Sequence, residues 1–299
     1  MVFHKPHPAE SFDNLRDRLG RLLADPHKKK REKMQISLPL PEENEIDLYS
    51  SNPKKSIYSF LNFILAASPY SNLYLFGGII RDVALLGRKG FNSDIDLVVD
   101  GDWNTCANFV EHLGAKKNKF GGYRLFVADW PIDIWNATET WAIKEGLVEY
   151  KGIASLTDTT VLNWDAILMN WRTKNFICTE NYLDIISKRC LDIILEENPN
   201  PLGMAVRVFR HLSMKDARKI TPRAIKFLSN TTRTYTYSQI AKKELSSYGN
   251  ITIEKAIYDF FSFIPFHEKS NFEDKFHAAS ESIKDKDIHL SFMQKNLFT

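Results

Sequence analysis

Apolar positions along the chain fall into two patterns. Short dense or alternating runs at Leu73–Phe76, Ile95–Val99, Tyr123–Val127 and Pro131–Trp135 read as strands. In the last of these, Asp133 faces away from its apolar neighbours. Longer runs carry helical spacing. Residues 56–67 form a strongly apolar helix ended by Pro69, and Trp103–Leu113 form another with Asp102 as its N-cap. Thr221-Pro222 opens a helix with proline in its first turn, and Tyr237–Leu245 and Ile253–Phe263 continue the helical pattern. Near the start, Phe12, Leu15, Leu19, Leu22 and Leu23 predict one short amphipathic helix. Phe260, Phe261, Phe263 and Phe266 read as core or a helix–helix interface rather than a base-stacking platform.

Composition narrows this picture only modestly. A chain of 299 residues with 43% hydrophobic content can bury a real core, and two domains are the natural prior. A net charge of +3 permits a nucleic-acid partner without demanding one. Cys106, Cys178 and Cys190 are too few and too scattered for a disulfide framework or a zinc site, and read as reduced thiols. The start lacks an apolar signal core and no stretch approaches membrane-spanning length, so a soluble, cytoplasmic protein is expected. The basic cluster His27–Arg31, with Lys33, reads as a solvated tail; the other reading is an electrostatic arm for RNA phosphates. The following P-L-P-E-E-N-E-I-D reads as a linker.

Candidate chemistry concentrates between Leu73 and Asp100. Asp94 and Asp96, two apart at the start of a strand, project from one face. Adjacent carboxylates repel unless a cation neutralises them, and a hard cation such as Mg²⁺, shared with substrate phosphates, fits that need. Gly77-Gly78, directly after the first strand, lets backbone N–H groups close on a phosphate. Gly-Gly also serves as a plain turn, and D-x-D occurs on solvated strand ends. Order and spacing are more specific: Arg81-Asp82 open the intervening helix and Leu85-Leu86-Gly87-Arg88 close it.

This run resembles the signature of the polymerase-β-like nucleotidyltransferases. It is most similar to the head domain of class II tRNA nucleotidyltransferases and bacterial poly(A) polymerases, with G-G-x-V-R-D-x-L-L-G-R followed by D-x-D. The resemblance implies an α+β fold: a small mixed-sheet head over residues 53–178 and an all-helical neck and body over 179–299, which leaves residues 1–52, with their one short helix and linker, as an N-terminal arm. It further implies that Asp94 and Asp96 bind Mg²⁺, with Asp133 as a third carboxylate, and that Gly77 and Gly78 position a nucleoside triphosphate. Arg81 or Arg88 would neutralise developing charge, while Asp82 caps the helix or orients Arg81.

Departures from the family pattern lie downstream. The strand bearing Asp133 continues as N-A-T-E-T-W where the family has a threonine, an aromatic and an arginine. Ser155–Met169 resembles the family segment R-R-D-F-T-I-N-A-L-A in its helical part, with Asp165 near the asparagine, but Asp158-Thr159-Thr160-Val161 replaces R-R-D. Asn198–Met204 stands where the family has E-D-P-x-R, whose Asp and Arg read the incoming base, so base selection is expected to differ. Arg207 and Arg210, three apart on the next helix, read either as triphosphate contacts or as surface ion pairs. The expected acceptor is an RNA 3′ end, tRNA first. Transfer to a protein hydroxyl, synthesis of a nucleotide signal, and a catalytically silent binding subunit are the other readings; oligomeric state stays open.

Overall fold

A computed structural model describes residues 7–24, 52–91, 93–215, 217–263 and 291–292. The basic cluster, the linker and Phe266 lie outside them. The chain divides into two compact units, Met1–Thr157 with Ile167–Cys178, and Asp158–Ala166 with Thr179–Thr299. The class is α+β, with a mixed sheet in the first unit and mainly helices in the second. Among the described residues, no helix is long and apolar enough to cross a membrane.

In the first unit the elements run α1 (Phe12–Ala24), α2 (Ile57–Ala67), β1 (Asn72–Phe76), α3 (Gly78–Leu86), β2 (Ile95–Asp100), α4 (Trp103–His112), β3 (Lys116–Lys117), β4 (Tyr123–Val127), β5 (Trp130–Asn136), α5 (Trp141–Lys144), β6 (Leu168–Asn170) and β7 (Phe176–Ile177). The seven strands are ordered β3-β4-β5-β2-β1-β6-β7. β2 and β5 pair in parallel while the other neighbours are antiparallel. Leu73, Leu75, Leu97, Val99, Ile132 and Ile134 share one face and are fully or almost fully buried. The opposite face carries a small cluster of Tyr74, Val98, Ala137, Leu156 and Leu168, with Phe76 and Trp135 packed against it. Beyond that cluster, the same face holds Asp96, Asp133 and Arg124.

Local signals explain most element ends. Ser56 caps α2 by accepting from Ser59 N, Asp102 caps α4 by accepting from Thr105 N, and Thr221-Pro222 starts a later helix as expected. The N-terminal helix is an integral part of its unit rather than an appendage. Leu15, Leu19 and Leu23 are fully buried, Ala9 N donates to Ala84 O, and Phe12 packs on Phe176 with ring centroids 5.1 Å apart.

The second unit contains α6 (Tyr182–Ser187), β8 (Cys190–Leu191), α7 (Pro201–Met214), β9 (Lys219–Ile220), α8 (Pro222–Thr234), α9 (Tyr237–Tyr248), α10 (Lys255–Ser262) and β10 (Ser291–Phe292). It is not all helical: β10, β9 and β8 form a small parallel sheet. Phe260 and Phe261 are core residues, whereas Phe263 is exposed. A second correction concerns Asn163–Met169, expected as a helix. Asn163–Asp165 form a 3₁₀ turn, and Leu168–Asn170 are strand β6. Hydrogen bonds distant in sequence fix the turn: Trp164 Nε1 and Asn163 Nδ2 both donate to Cys190 O, at 2.7 and 3.0 Å.

Candidate active site

Strand β1 delivers the chain to Gly77, whose φ of 57° is a conformation favouring glycine. Gly77 N donates to Ile167 O, and Gly77 serves as N-cap of α3 without a side-chain cap. The first amides of α3 therefore keep the orphan donors and positive dipole end that favour an anion. At Gly78, a Cβ would lie 3.3 Å from Ser93 Oγ and 3.6 Å from Arg81 Nη2, so a hydroxyl and a guanidinium close on the turn. Ser93 Oγ is buried with no hydrogen-bond partner. That orphan hydroxyl, the glycine turn and the helix start converge on one spot that a phosphate oxygen fits.

Arg81 and Asp82 are both buried, and Arg81 Nε donates to Asp82 Oδ1 at 2.9 Å. Asp82 thus orients Arg81; it does not cap the helix. Arg88 is exposed on a 3₁₀ turn at the other end of α3, about 15 Å along the helix axis from Gly78, and is not brought to the glycine turn.

The carboxylates do come together. Asp96 on β2 is in register with Asp133 on β5, and Asp133 is in register with Arg124 on β4. Neighbouring strands are about 4.8 Å apart, so these side chains stand in a row on one face. Asp94 joins them through Arg124, whose Nη2 donates to Asp94 Oδ2 at 2.6 Å. The same guanidinium grips both oxygens of Asp133, with Nε 2.8 Å from Oδ1. Hydrogen bonding to Asp133 is the main cause that pushes the Arg124 pKa further up, followed by the charges of Asp133 and Asp94 against the opposing cost of burial.

Arg124 was not legible as a site residue. In Y-R-L-F-V it is one outward position of an alternating strand, and only the β4–β5 register sets it beside Asp133. Ser93 was missed for the same reason, since its only sequence signal is adjacency to Asp94.

Among the described residues, no group of three or more His, Cys, Asp or Glu is set to hold a metal ion. Arg124 takes the bridging position between Asp94 and Asp133. The donor set still suits Mg²⁺, because the carboxylate oxygens of Asp94 and Asp133, 44% and 20% exposed, are the hard ligands such a cation takes.

In the second unit, Arg207 is exposed on α7. Arg210 is committed to a largely buried network. It pairs with the fully buried Glu244, donates to Asn250 and Thr252 at 3.1 Å each, and lies 4.0 Å over the Tyr248 ring. Glu244 also accepts from the backbone N–H groups of Thr252 and Ile253. Arg210 is thus neither a surface ion pair nor a side chain free for a triphosphate. The stretch before α7 has a structural task of its own: Asn200 accepts from Gly203 N at 3.1 Å and caps the helix that Pro201 begins.

No family model and no curated protein matches the chain. Among solved structures it is similar to a tRNA-processing enzyme with CTP, at 13% identity over 75% of this chain and 55% of that one, with a TM-score of 0.43. It is also similar to a tRNA nucleotidyltransferase complexed with a primer tRNA and an incoming ATP analogue, at 15% identity, 75% and 60% coverage, and a TM-score of 0.45. A third is the Thermotoga maritima CCA-adding enzyme complexed with tRNA, at 16% identity, 84% and 69% coverage, and a TM-score of 0.46. The chain spans little more than half the length of the tRNA-processing enzymes it matches. At such identities, its chemistry has to be argued from its own residues.

Proposed function

We propose that this chain is a nucleotidyltransferase that moves a nucleoside monophosphate from a nucleoside triphosphate to the 3′ hydroxyl of an RNA, tRNA first, with base selection unlike that of CCA-adding enzymes. The observation that carries the reading is the row Asp96–Asp133, with Asp94 tied to it, in the same unit as an uncapped glycine-started helix. The run from Gly77 to Asp96 also resembles the nucleotidyltransferase signature, from which the RNA acceptor is taken.

In this reading the amides at Gly78 and the hydroxyl of Ser93 hold the triphosphate tail, with Arg81 behind them held by Asp82. Asp94, Asp96 and Asp133 would hold Mg²⁺, which supplies charge neutralisation for the phosphates and acidifies the attacking hydroxyl. Arg124 keeps two of the carboxylates neutralised between turnovers and releases them when cation and nucleotide arrive. The 3′ oxygen forms a bond to the α-phosphorus, the α–β phosphoanhydride bond breaks, and pyrophosphate leaves. The hydroxyl proton passes to a carboxylate of the row or to water. Replacing E-D-P-x-R by the capping sequence at Asn198–Gly203 removes the groups that would discriminate C from A.

The test is incubation with each labelled nucleoside triphosphate, total RNA and Mg²⁺, read on a gel. The native chain labels RNA. The Asp94→Ala/Asp96→Ala variant loses labelling by on the order of 1,000-fold or more with an unchanged circular dichroism spectrum. Labelling that persists in the folded variant overturns the mechanism; label on protein, or in a free oligonucleotide, overturns the acceptor.

A further inference from the structure

A concavity lies by the C-terminal end of β5, between the residues that precede β4 and those that follow β5, the strand that carries Asp133. It is a cleft of about 380 Å³, framed by the β3–β4 hairpin on one side and by the turn and short helix after β5 on the other. Ligand pockets start at ~300 Å³, so it has room for a nucleotide-sized group. Its walls carry Lys117, Lys119 and Lys144, the rings of Phe120 and Trp141, and the carboxylates Glu139 and Glu145.

The walls are built rather than loose. Asn118 Oδ1 accepts from Phe120 N and Gly122 N at 2.9 and 3.1 Å, and Asn118 N donates to Gly122 O at 2.8 Å, closing the hairpin tip. Gly121 has φ of 92°, a glycine conformation. A Cβ on Gly122 would come within 2.8 Å of Ile134 O and 2.9 Å of Trp135 Cβ, so the hairpin lies flat against β5. The facing wall is tied to the same strand, because Trp135 Nε1 donates to Thr140 Oγ1 at 3.0 Å.

Charge and aromatic surface then define what fits. Lys144 is paired with Glu139 at 2.6 Å, while Lys117, Lys119 and Glu145 have no ion pair among the described residues, so the unpaired lining charge is one positive in excess. Lys119 Nζ sits 4.8 Å from the Phe120 ring centroid, and that ring is 42% exposed. Free ammonium groups beside an exposed ring, with a second aromatic across the cleft, are the parts of a single-stranded nucleic-acid subsite: phosphate on the cations, base on the ring. An apolar ligand has no use for the lysines, and an inorganic anion has none for the rings.

Position identifies which part of the strand. The hairpin tip that walls the cleft packs on Trp135 through Gly122, and Trp135 lies two residues, or about 7 Å along β5, from Asp133. We infer that this cleft holds a nucleotide of the single-stranded acceptor RNA upstream of its reacting 3′ end, so that the strand is gripped within the first unit itself. The inference rests on the nucleotidyl-transfer reading above.

The full-length Asp94→Ala/Asp96→Ala protein, unable to turn over, is titrated into a fluorophore-labelled single-stranded RNA of about eight nucleotides and followed by anisotropy. Parallel arms use the same sequence as a duplex and a nucleoside monophosphate as competitor. Expected are binding of the single strand, weaker binding of the duplex, and competition by the monophosphate only in large excess. Adding Lys117→Glu/Lys119→Glu weakens single-strand binding about tenfold and lowers the salt slope by roughly 1.4. Adding Phe120→Ala, a charge-neutral change at an exposed ring, weakens it about tenfold with no change in slope. Unchanged affinity in both variants overturns the inference, as does a monophosphate that competes as well as the strand. Single-strand binding by the Asp94→Ala/Asp96→Ala protein does not depend on turnover, and labelling that survives Lys117→Glu/Lys119→Glu and Phe120→Ala in an otherwise native chain leaves the nucleotidyl-transfer reading standing while it sinks the cleft, so the two failures are told apart.

Discussion

Arg124 shows what a single side chain contributes to this site. It occupies with one guanidinium the position that a divalent cation would share between Asp94 and Asp133. Arg124 and Asp94 are roughly half exposed and Asp133 is one-fifth exposed, so solvent screens both pairs and their worth to folding is small, about 0–1 kcal/mol. Their consequence for cation binding is larger, because Arg124 competes for the same carboxylates. Arg124→Gln is expected to tighten Mg²⁺ binding several-fold in a calorimetric titration while moving stability by no more than about 1 kcal/mol. Weaker Mg²⁺ binding in that variant contradicts the competition. Asp94 and Asp96 were legible as a candidate pair because their spacing is that of one strand face. Arg124 and Ser93 were not, because strand register and loop closure bring them in, and neither leaves a mark in local sequence.

At the scale of elements, the N-terminal helix is the instructive case. Its spacing of leucines predicted an amphipathic helix, but not where the apolar stripe goes. The stripe is buried in the sheet-bearing unit, so the helix belongs to that unit's core. Leu19→Ala is therefore expected to destabilise the chain by about 2–5 kcal/mol in urea denaturation, as for a core leucine, where an appended helix would lose almost nothing. The Asn163–Met169 segment teaches the converse. Its resemblance to a helical family segment predicts a helix, and hydrogen bonds to Cys190 and pairing with β1 override that expectation.

Stability against pH belongs to the whole molecule, and Lys174 supplies a specific expectation. Burial pushes its ammonium down to about 8, even though its Nζ lies 2.8 Å from the Trp171 ring centroid, a contact that favours the charged form. Below pH 8 the amine is protonated whether folded or unfolded, and the burial cost is present in full. Between about 8 and the unfolded value near 10.4 the unfolded chain binds more protons, so folding stability rises with pH in that window. The native chain is expected to gain about 1 kcal/mol on Lys174→Met between pH 7 and 10.5, after allowing for solvent screening of a partly exposed group. A flat or opposite difference in paired urea titrations contradicts the assignment.

The amino-acid sequence by itself determined what short-range physics can carry: the strand–glycine turn–helix–strand order and the caps at Ser56, Asp102 and Thr221. These depend on side-chain periodicity and on hydrogen bonds spanning three or four residues. Tertiary structure alone decided that Asp133 stands beside Asp96, that Arg124 bridges the carboxylates, that Arg210 is held by Glu244, and that a lysine-and-aromatic cleft forms next to β5. Each of those turns on the pairing of segments far apart in the chain, and a pairing register is set by the packing of the sheet as a whole.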